Sequence, residues 1–541
     1  MRLSFALILS GLVTALLNPL VNAINAATLP ELKIAARRIT AAGLLKPIRA
    51  LASDDFGGRL PGTSGDQKTV QYLIAQCRAL KLSPGNPNGT YVDNVPLWGT
   101  RSKGTLTIGG MTLEAGKDYV AWSALPDARV TIPAAAMVFA GYGVVAPEHH
   151  WDDYAGVDVR DKVVVVLGGD PAVADPRDHT KLDEKYFLGR ALTVHGRTGT
   201  KLDRAFAQGA TALIILNSNP TLFQNYARET MILRDAHDRQ RVKAQALLSL
   251  ERAKDLFPGQ DFDALRAAAA RPGFRAIALG AQASFEIANT VRRIDSPNVI
   301  AKIPGRDPKL ASEYVVYSAH WDHHGQEGDR IFHGASDNAA GTAGVLELAR
   351  ALRTVQPRRT ILFLWPTAEE KGLLGAKYYV EHPLYPLAQT VANINLDYFS
   401  NWGWGRTRDF SIVGLGNSSL DDLTAEAVQR QGRVVTGDTL PEQGFYFRSD
   451  HYEFARVGVP SLETAPGIDY RDRPAEYGQQ KRADYIAHDY HQASDVPKPD
   501  WDLSGAVEDL QVLLEVGYRV AQSNDRPTWK ADAIWRPRQD P

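Results

Sequence analysis

Cysteine is almost absent: Cys77 is the only one in 541 residues. An internal disulfide is therefore excluded. Cys77 itself lies in a helix-like apolar pattern, where a thiol is inert packing rather than a nucleophile. Net charge is nearly absent too. Lys and Arg number 61, Asp and Glu 62, and no block of like charge occurs. Such a chain has no electrostatic footprint for nucleic acid or anionic lipid. Beyond the first residues, no apolar run is long enough to cross a membrane. Internal repeats and low-complexity tracts are missing. So are the H-E-x-x-H and G-x-S-x-G patterns of two large hydrolase classes.

What is present describes a globular chain, 44% hydrophobic and 23% charged. Its length suffices for two or three domains. Residues 1–27 open with Arg2, continue with an apolar run from Leu3 to Leu17, and end in small residues. That order reads as a secretory signal peptide, cleaved after Ala23, Ala26 or Ala27. The run is short for a span and contains Ser and Gly, so no stable membrane insertion is expected. The expected location is secreted or periplasmic.

Residues 30–82 read as helical with a break at "DFGGRLPGTSG" (55–65), Asp66 being placed to cap the helix that follows. From about Pro133 the character changes. "AAAMVFAGYGVVAP" and "DKVVVVLGG" are buried strands, and "TKLDRAFAQGATALIILN" is a helix followed by another strand. The stretch 236–272 reads as helices or a surface excursion. From Pro297 onward strands and helices alternate: strands at 314–320, 359–370, 390–400 and 410–416, helices at 337–355, 372–382, 419–432 and 503–522. The expected fold class is α/β, a mixed central sheet flanked by helices on both faces, with an inserted β-rich module. The expected division is a signal peptide at 1–27, an N-terminal part of the main domain at 28–129, the inserted module at 130–290, and the main domain at 291–541.

In such sheets ligands gather beyond the carboxyl ends of the strands. There the apolar runs stop on His320 and Asp322, then Glu369 and Glu370, then Asp397, while Asp337 opens a helix. Polar strand ends are ordinary, but three successive strands ending on metal-binding or proton-moving groups are a stronger signal. Imidazole mixed with carboxylate suits zinc, cobalt or manganese. These are too many ligands for one tetrahedral ion. Two ions about 3.5–4 Å apart, bridged by a carboxylate and a water, would use them. A carboxylate beside that water, itself free of metal, is the natural general base. Glu369 and Glu370, adjacent at a strand end, can divide the two roles. The stretch "YSAHWDHHGQ" (317–326) leaves open which of His320, His323 and His324 binds.

"AHWDHHG", "GASDNAAGTAGVLELA", "LWPTAEEKGLLGAKYY", "NINLDYF" and "YHQASD", in this order, resemble the M28 family of co-catalytic zinc peptidases. The resemblance covers about residues 30–128 and 290–522. The inserted module, with "FAGYGVVAPEHHWDDYAGVDVRDKVVVVLGGDP" and "AFAQGATALIIL", resembles a protease-associated (PA) domain. Carried onto this sequence, the resemblance implies two zinc ions. His320 and Asp397 would hold one, Glu370 and His491 the other, and Asp337 would bridge them. It also implies Glu369 as general base, Asp322 as the carboxylate that orients the binding imidazole, and Tyr490 as an aid to the oxyanion. Asp495 is a candidate supporting group.

His323 and His324 fall outside the motif's spacing and are expected to line the pocket or face water. His333 is expected to line the site, His488 to lose the last ligand position to His491, and His149 and His150 to lie at the surface. Arg59 and Thr63 are expected to give structural support. The implied activity is that of a secreted zinc exopeptidase, an aminopeptidase acting on peptides. Three alternatives stay open: a glutamate-carboxypeptidase-like carboxypeptidase or dipeptidase, for which Arg406, Arg408 and Arg448 are candidate carboxylate anchors; a single-zinc glutaminyl cyclase; and a receptor-like relative without catalysis.

Overall fold

The structure is a computed structural model and describes residues 30–235, 240–259, 261–397, 403–531 and 533. The expected signal peptide and residues 401 and 402 of "NWGWG" lie outside these.

Among the described residues, one mixed sheet has 15 strands. Its spine is Ile277–Ile303, a 27-residue strand, about 90 Å long at roughly 3.3 Å per residue. Val92–Ile108 pairs antiparallel along it from Ala283 to Val299. Its first part also pairs with Arg129–Phe139, and Val299–Ile303 pairs with Ile361–Trp365. Backbone hydrogen bonding is therefore continuous across the expected division between inserted module and main domain. Residues 130 and 290, the expected boundaries, both fall inside strands of this sheet.

On the module side, Arg129–Phe139, Val163–Leu167, Ala212–Asn217 and Ala244–Ser249 follow in parallel order, and Tyr119–Trp122 closes the edge. Val163–Leu167 is buried throughout, as a strand covered on both faces must be. In the stretch 236–272 the expected helices are Leu250–Ala253 and Phe262–Ala269, but Ala244–Ser249 is a strand where none was expected. Its sequence, AQALLS, carries too few β-branched residues to announce a strand, and pairing with Ala212–Asn217 decides it.

On the other side the order is Val434–Gly437, Asp409–Val413, Ser461–Pro466, Thr390–Asn395, Tyr314–Ser318 and Thr360–Trp365, ending on the spine. The last four of these named strands are mutually parallel. Val315, Tyr317, Ile361 and Phe363 face a core shared with helices Ala41–Leu51, Gly341–Leu352 and Ser504–Gln522. Val316, Leu362 and Leu364 face the opposite core with Tyr379, Val380 and Phe454. Helices thus cover both faces, and the expected α/β class holds.

Several boundaries move. The strand expected at 359–370 stops at Trp365, and Glu369–Lys371 is a single helical turn. The helix expected from 337 begins at Gly341, because Ala335–Ala340 forms an irregular turn. The helix after the "GGRLPGTSG" break spans Ser64–Ala79, and its cap is Thr63, not Asp66. Asp66 instead accepts from the Gly62 amide at 2.7 Å. No helix among the described residues is long and apolar enough to cross a membrane.

Candidate metal centre

Because Tyr314–Ser318, Thr360–Trp365 and Thr390–Asn395 are parallel, their carboxyl ends share one edge of the sheet. Each chain continues there into a short irregular segment. The first carries His320 and Asp322, the second Glu369 and Glu370, the third Asp397. Ala368, at φ +53°, makes the sharp turn that delivers the glutamates. His491, itself at φ +59°, arrives just after helix Tyr477–His488. Such left-handed backbone outside glycine is strained and persists only where its surroundings hold it.

Two triads result. His320, Asp337 and Asp397 form one, and Asp337, Glu370 and His491 the other. His320 Nε2 is 3.1 Å from Asp397 Oδ1 and 3.4 Å from Asp337 Oδ1. His491 Nε2 is 3.1 Å from Asp337 Oδ2 and 3.3 Å from Glu370 Oε2. Asp337 therefore belongs to both, through different oxygens. Three carboxylates facing two imidazoles are a donor set that fits two divalent ions of the zinc type.

Glu369 stands beside the triads, with Oε2 at 3.8 Å from His320 Nε2. Burial pushes its carboxyl well above the usual carboxylate range; His320 opposes this, while Asp397, Glu370 and Asp450 add to it. Burial likewise raises Glu370 to about 7, against the pull of His491. Asp337 resists its own burial: hydrogen bonds to His320 and His491 hold it well below the usual range.

The supporting groups are specific. Asp322 Oδ1 lies 3.7 Å from His320 Nδ1 and accepts from the Glu369 amide at 3.0 Å. His320 Nδ1 is closer to the Asp322 carbonyl, at 3.2 Å. Asp495 accepts from the amides of Ser336 and Asp337, at 3.0 and 3.1 Å, and so fixes the loop that carries the shared aspartate. Arg59, fully buried, donates to the carbonyls of Trp321, His333, Gly334 and Leu51.

A cleft opens over the triads. Tyr490 lines it, stacked on His491 with ring centroids 3.8 Å apart, and its hydroxyl accepts from Arg448 at 2.9 Å. Phe445 and Arg448 add to the wall. Tyr446 and Phe447 are buried in packing instead. Arg406 and Arg408 are committed elsewhere, to Glu508 and Asp469.

Two sequence expectations need correction. His323 and His324 do not face water. Both are buried against Glu370, because the turn after Asp322 folds inward. Nor does His333 line the site: it bonds Asp54 at 2.8 Å. His488 is exposed and outside both triads, which leaves His491 as the imidazole that reaches them. His149 is half-buried against Phe187 and His150 is exposed. Sequence reasoning missed Glu463 and Tyr485, which also line the cleft. Glu463 lies inside the buried strand Ser461–Pro466, paired with Asn395 of the neighbouring parallel strand, and a charged residue within such a run was the available signal.

Residues 298–514 match the family model described as Peptidase family M28. Mouse "Aminopeptidase NAALADL1" is 36% identical over 254 residues, 41% of this chain and 31% of that protein. Bacillus subtilis "Aminopeptidase YwaD" is 33% identical over 130 residues, 24% and 28% respectively. A "Vacuolar membrane protease" of Vanderwaltozyma polyspora is 30% identical over 168 residues, 30% and 15%. The matched stretches thus span well under half of each relative. The solved structure of an aminopeptidase from Aneurinibacillus sp. strain AM-1 shares the fold, with a TM-score of 0.53 and 20% identity, over 94% of this chain and all of that one.

Proposed function

Residues 298–514 belong to peptidase family M28, and from that premise we propose that the chain is an exported zinc aminopeptidase with two ions in its site. The observation that carries the reading is the shared carboxylate: Asp337 joins two complete triads, and Glu369 stands beside them without belonging to either. His320, Asp397 and Asp337 would hold one ion, and Asp337, Glu370 and His491 the other. Bound zinc supplies Lewis acidity, which polarises a peptide carbonyl and makes water a better nucleophile at neutral pH.

The chain's own residues do the rest. Glu369 takes the proton of the attacking water and returns it to the leaving amine. Its burial keeps that carboxyl basic enough for both tasks. Asp322 and Asp495 hold the ligand-bearing segments in register. Tyr490 lines the cleft, and its hydroxyl, which accepts from Arg448, keeps its own proton to donate to the oxyanion. Export would follow from the signal-like residues 1–27. The module that begins near residue 130 is proposed to be PA-like.

A second reading has one observation in its favour. Arg448 lines the cleft and could take a substrate carboxylate, as a carboxypeptidase or dipeptidase requires. One panel separates the two: a free peptide, its N-acetylated form and its C-amidated form. The aminopeptidase reading expects cleavage of the free and C-amidated peptides only. Cleavage of the N-acetylated peptide, with none of the C-amidated one, would reject it.

A further inference from the structure

Two imidazoles in the site remain without a task. His323 and His324 belong to neither triad above, yet both are buried. His323 Nδ1 is 2.6 Å from Glu370 Oε1, and His324 Nε2 is 3.5 Å from Glu370 Oε2. A hydrogen bond to Glu370 accounts for His323. No hydrogen bond accounts for His324: neither ring nitrogen makes one, Nε2 having only the longer contact with Glu370, and His323 Nε2 makes none either. Burying an imidazole without satisfying it is costly, and each such group calls for an explanation.

We propose that His323, His324 and Glu370 form a third cation position, for a zinc-class transition-metal ion, next to the pair held through Asp337. Their ligand atoms lie within 4.8 Å of one another. Two imidazoles with one carboxylate suit zinc, cobalt, nickel or copper and disfavour magnesium and calcium. Glu370 can serve two ions as Asp337 does. Its Oε1 faces His323, while its Oε2 lies between His491, at 3.3 Å, and His324, at 3.5 Å. The rings of His324 and His491 stand perpendicular, centroids 4.3 Å apart, so each directs a nitrogen at the carboxylate without clashing. The inference rests on the two-ion reading, since it shares Glu370 with that pair.

The test is a metal count on the full chain, stripped with chelator and then dialysed to equilibrium against zinc. Wild type is expected to hold three ions and His324→Leu two. Two ions in both proteins overturn the third position and leave the pair intact. Three in both place the additional ion elsewhere and overturn it too. Fewer than two in wild type remove the pair and the third position together. Should His324→Leu fail to fold, wild type titrated with cobalt decides: a third equivalent is expected to add a new visible absorption band, and a spectrum unchanged after the second equivalent overturns the position.

Discussion

Asp337 reaches His320 through Oδ1 and His491 through Oδ2, at 3.4 and 3.1 Å. The two histidines lie 171 positions apart in the chain, and this one carboxylate relates them. Around it gather buried Glu369 and half-buried Glu370 and Asp397, a concentration of acid that needs counter-charge.

Metal removal is therefore expected to destabilise the fold as well as stop hydrolysis. An ion present at 100-fold its dissociation constant contributes about 2.7 kcal/mol by mass action. Adding chelator should lower the melting temperature, and zinc should restore it. A melting curve indifferent to both would argue against ions at this site.

Glu369→Gln should retain its metal, because Glu369 belongs to neither triad. The rate should fall by about 10²–10⁴-fold, the usual worth of a general base. Steady-state kinetics with a parallel metal count makes the check. Near-wild-type turnover would take Glu369 out of the role.

Asp495 belongs to neither triad, yet it holds the Ser336 and Asp337 amides. Asp495→Ala frees the loop that presents the shared aspartate. Metal affinity should drop about 10–100-fold, the range found for supporting groups. Competition against a coloured chelator would measure it, and an unchanged affinity would reduce Asp495 to packing.

Arg59→Met removes a buried guanidinium and leaves the carbonyls of Leu51, Trp321, His333 and Gly334 without it. Orphaned buried acceptors cost about 1–3 kcal/mol each, less whatever water recovers. A loss of about 3 kcal/mol is expected in denaturant titration. A change under 1 kcal/mol would mean that these carbonyls find other partners.

Burial lowers Lys201 to about 8, with Asp170 and Asp153 opposing. The folded state then binds fewer protons than the unfolded one between pH 8 and the usual lysine value. Stability from this group is at its worst below pH 8 and recovers as pH rises to about 10.5, by about 3 kcal/mol at most. Lys201→Met should flatten that alkaline rise in a series of unfolding curves. A rise of equal size in the variant would assign it to another group.

The sequence by itself determined the donor set. Apolar runs that stop on His320, on the Glu369–Glu370 pair and on Asp397 are legible, because a buried strand must end where polar groups begin. It also determined the alternation of strands and helices, and so the α/β class. Tertiary structure decided what no run could carry. Parallel pairing of Tyr314–Ser318, Thr360–Trp365 and Thr390–Asn395 set their ends at one edge. The fold brings His491 Nε2 to Asp337 and Glu370 and leaves His488 exposed. The strand Ala244–Ser249 escaped notice because its β character comes from its neighbours, not its composition. His323 and His324 escaped because local spacing says nothing about which way a loop folds. Only the packed structure turns both rings inward onto Glu370, where burial without partners gives them a use that spacing had denied them.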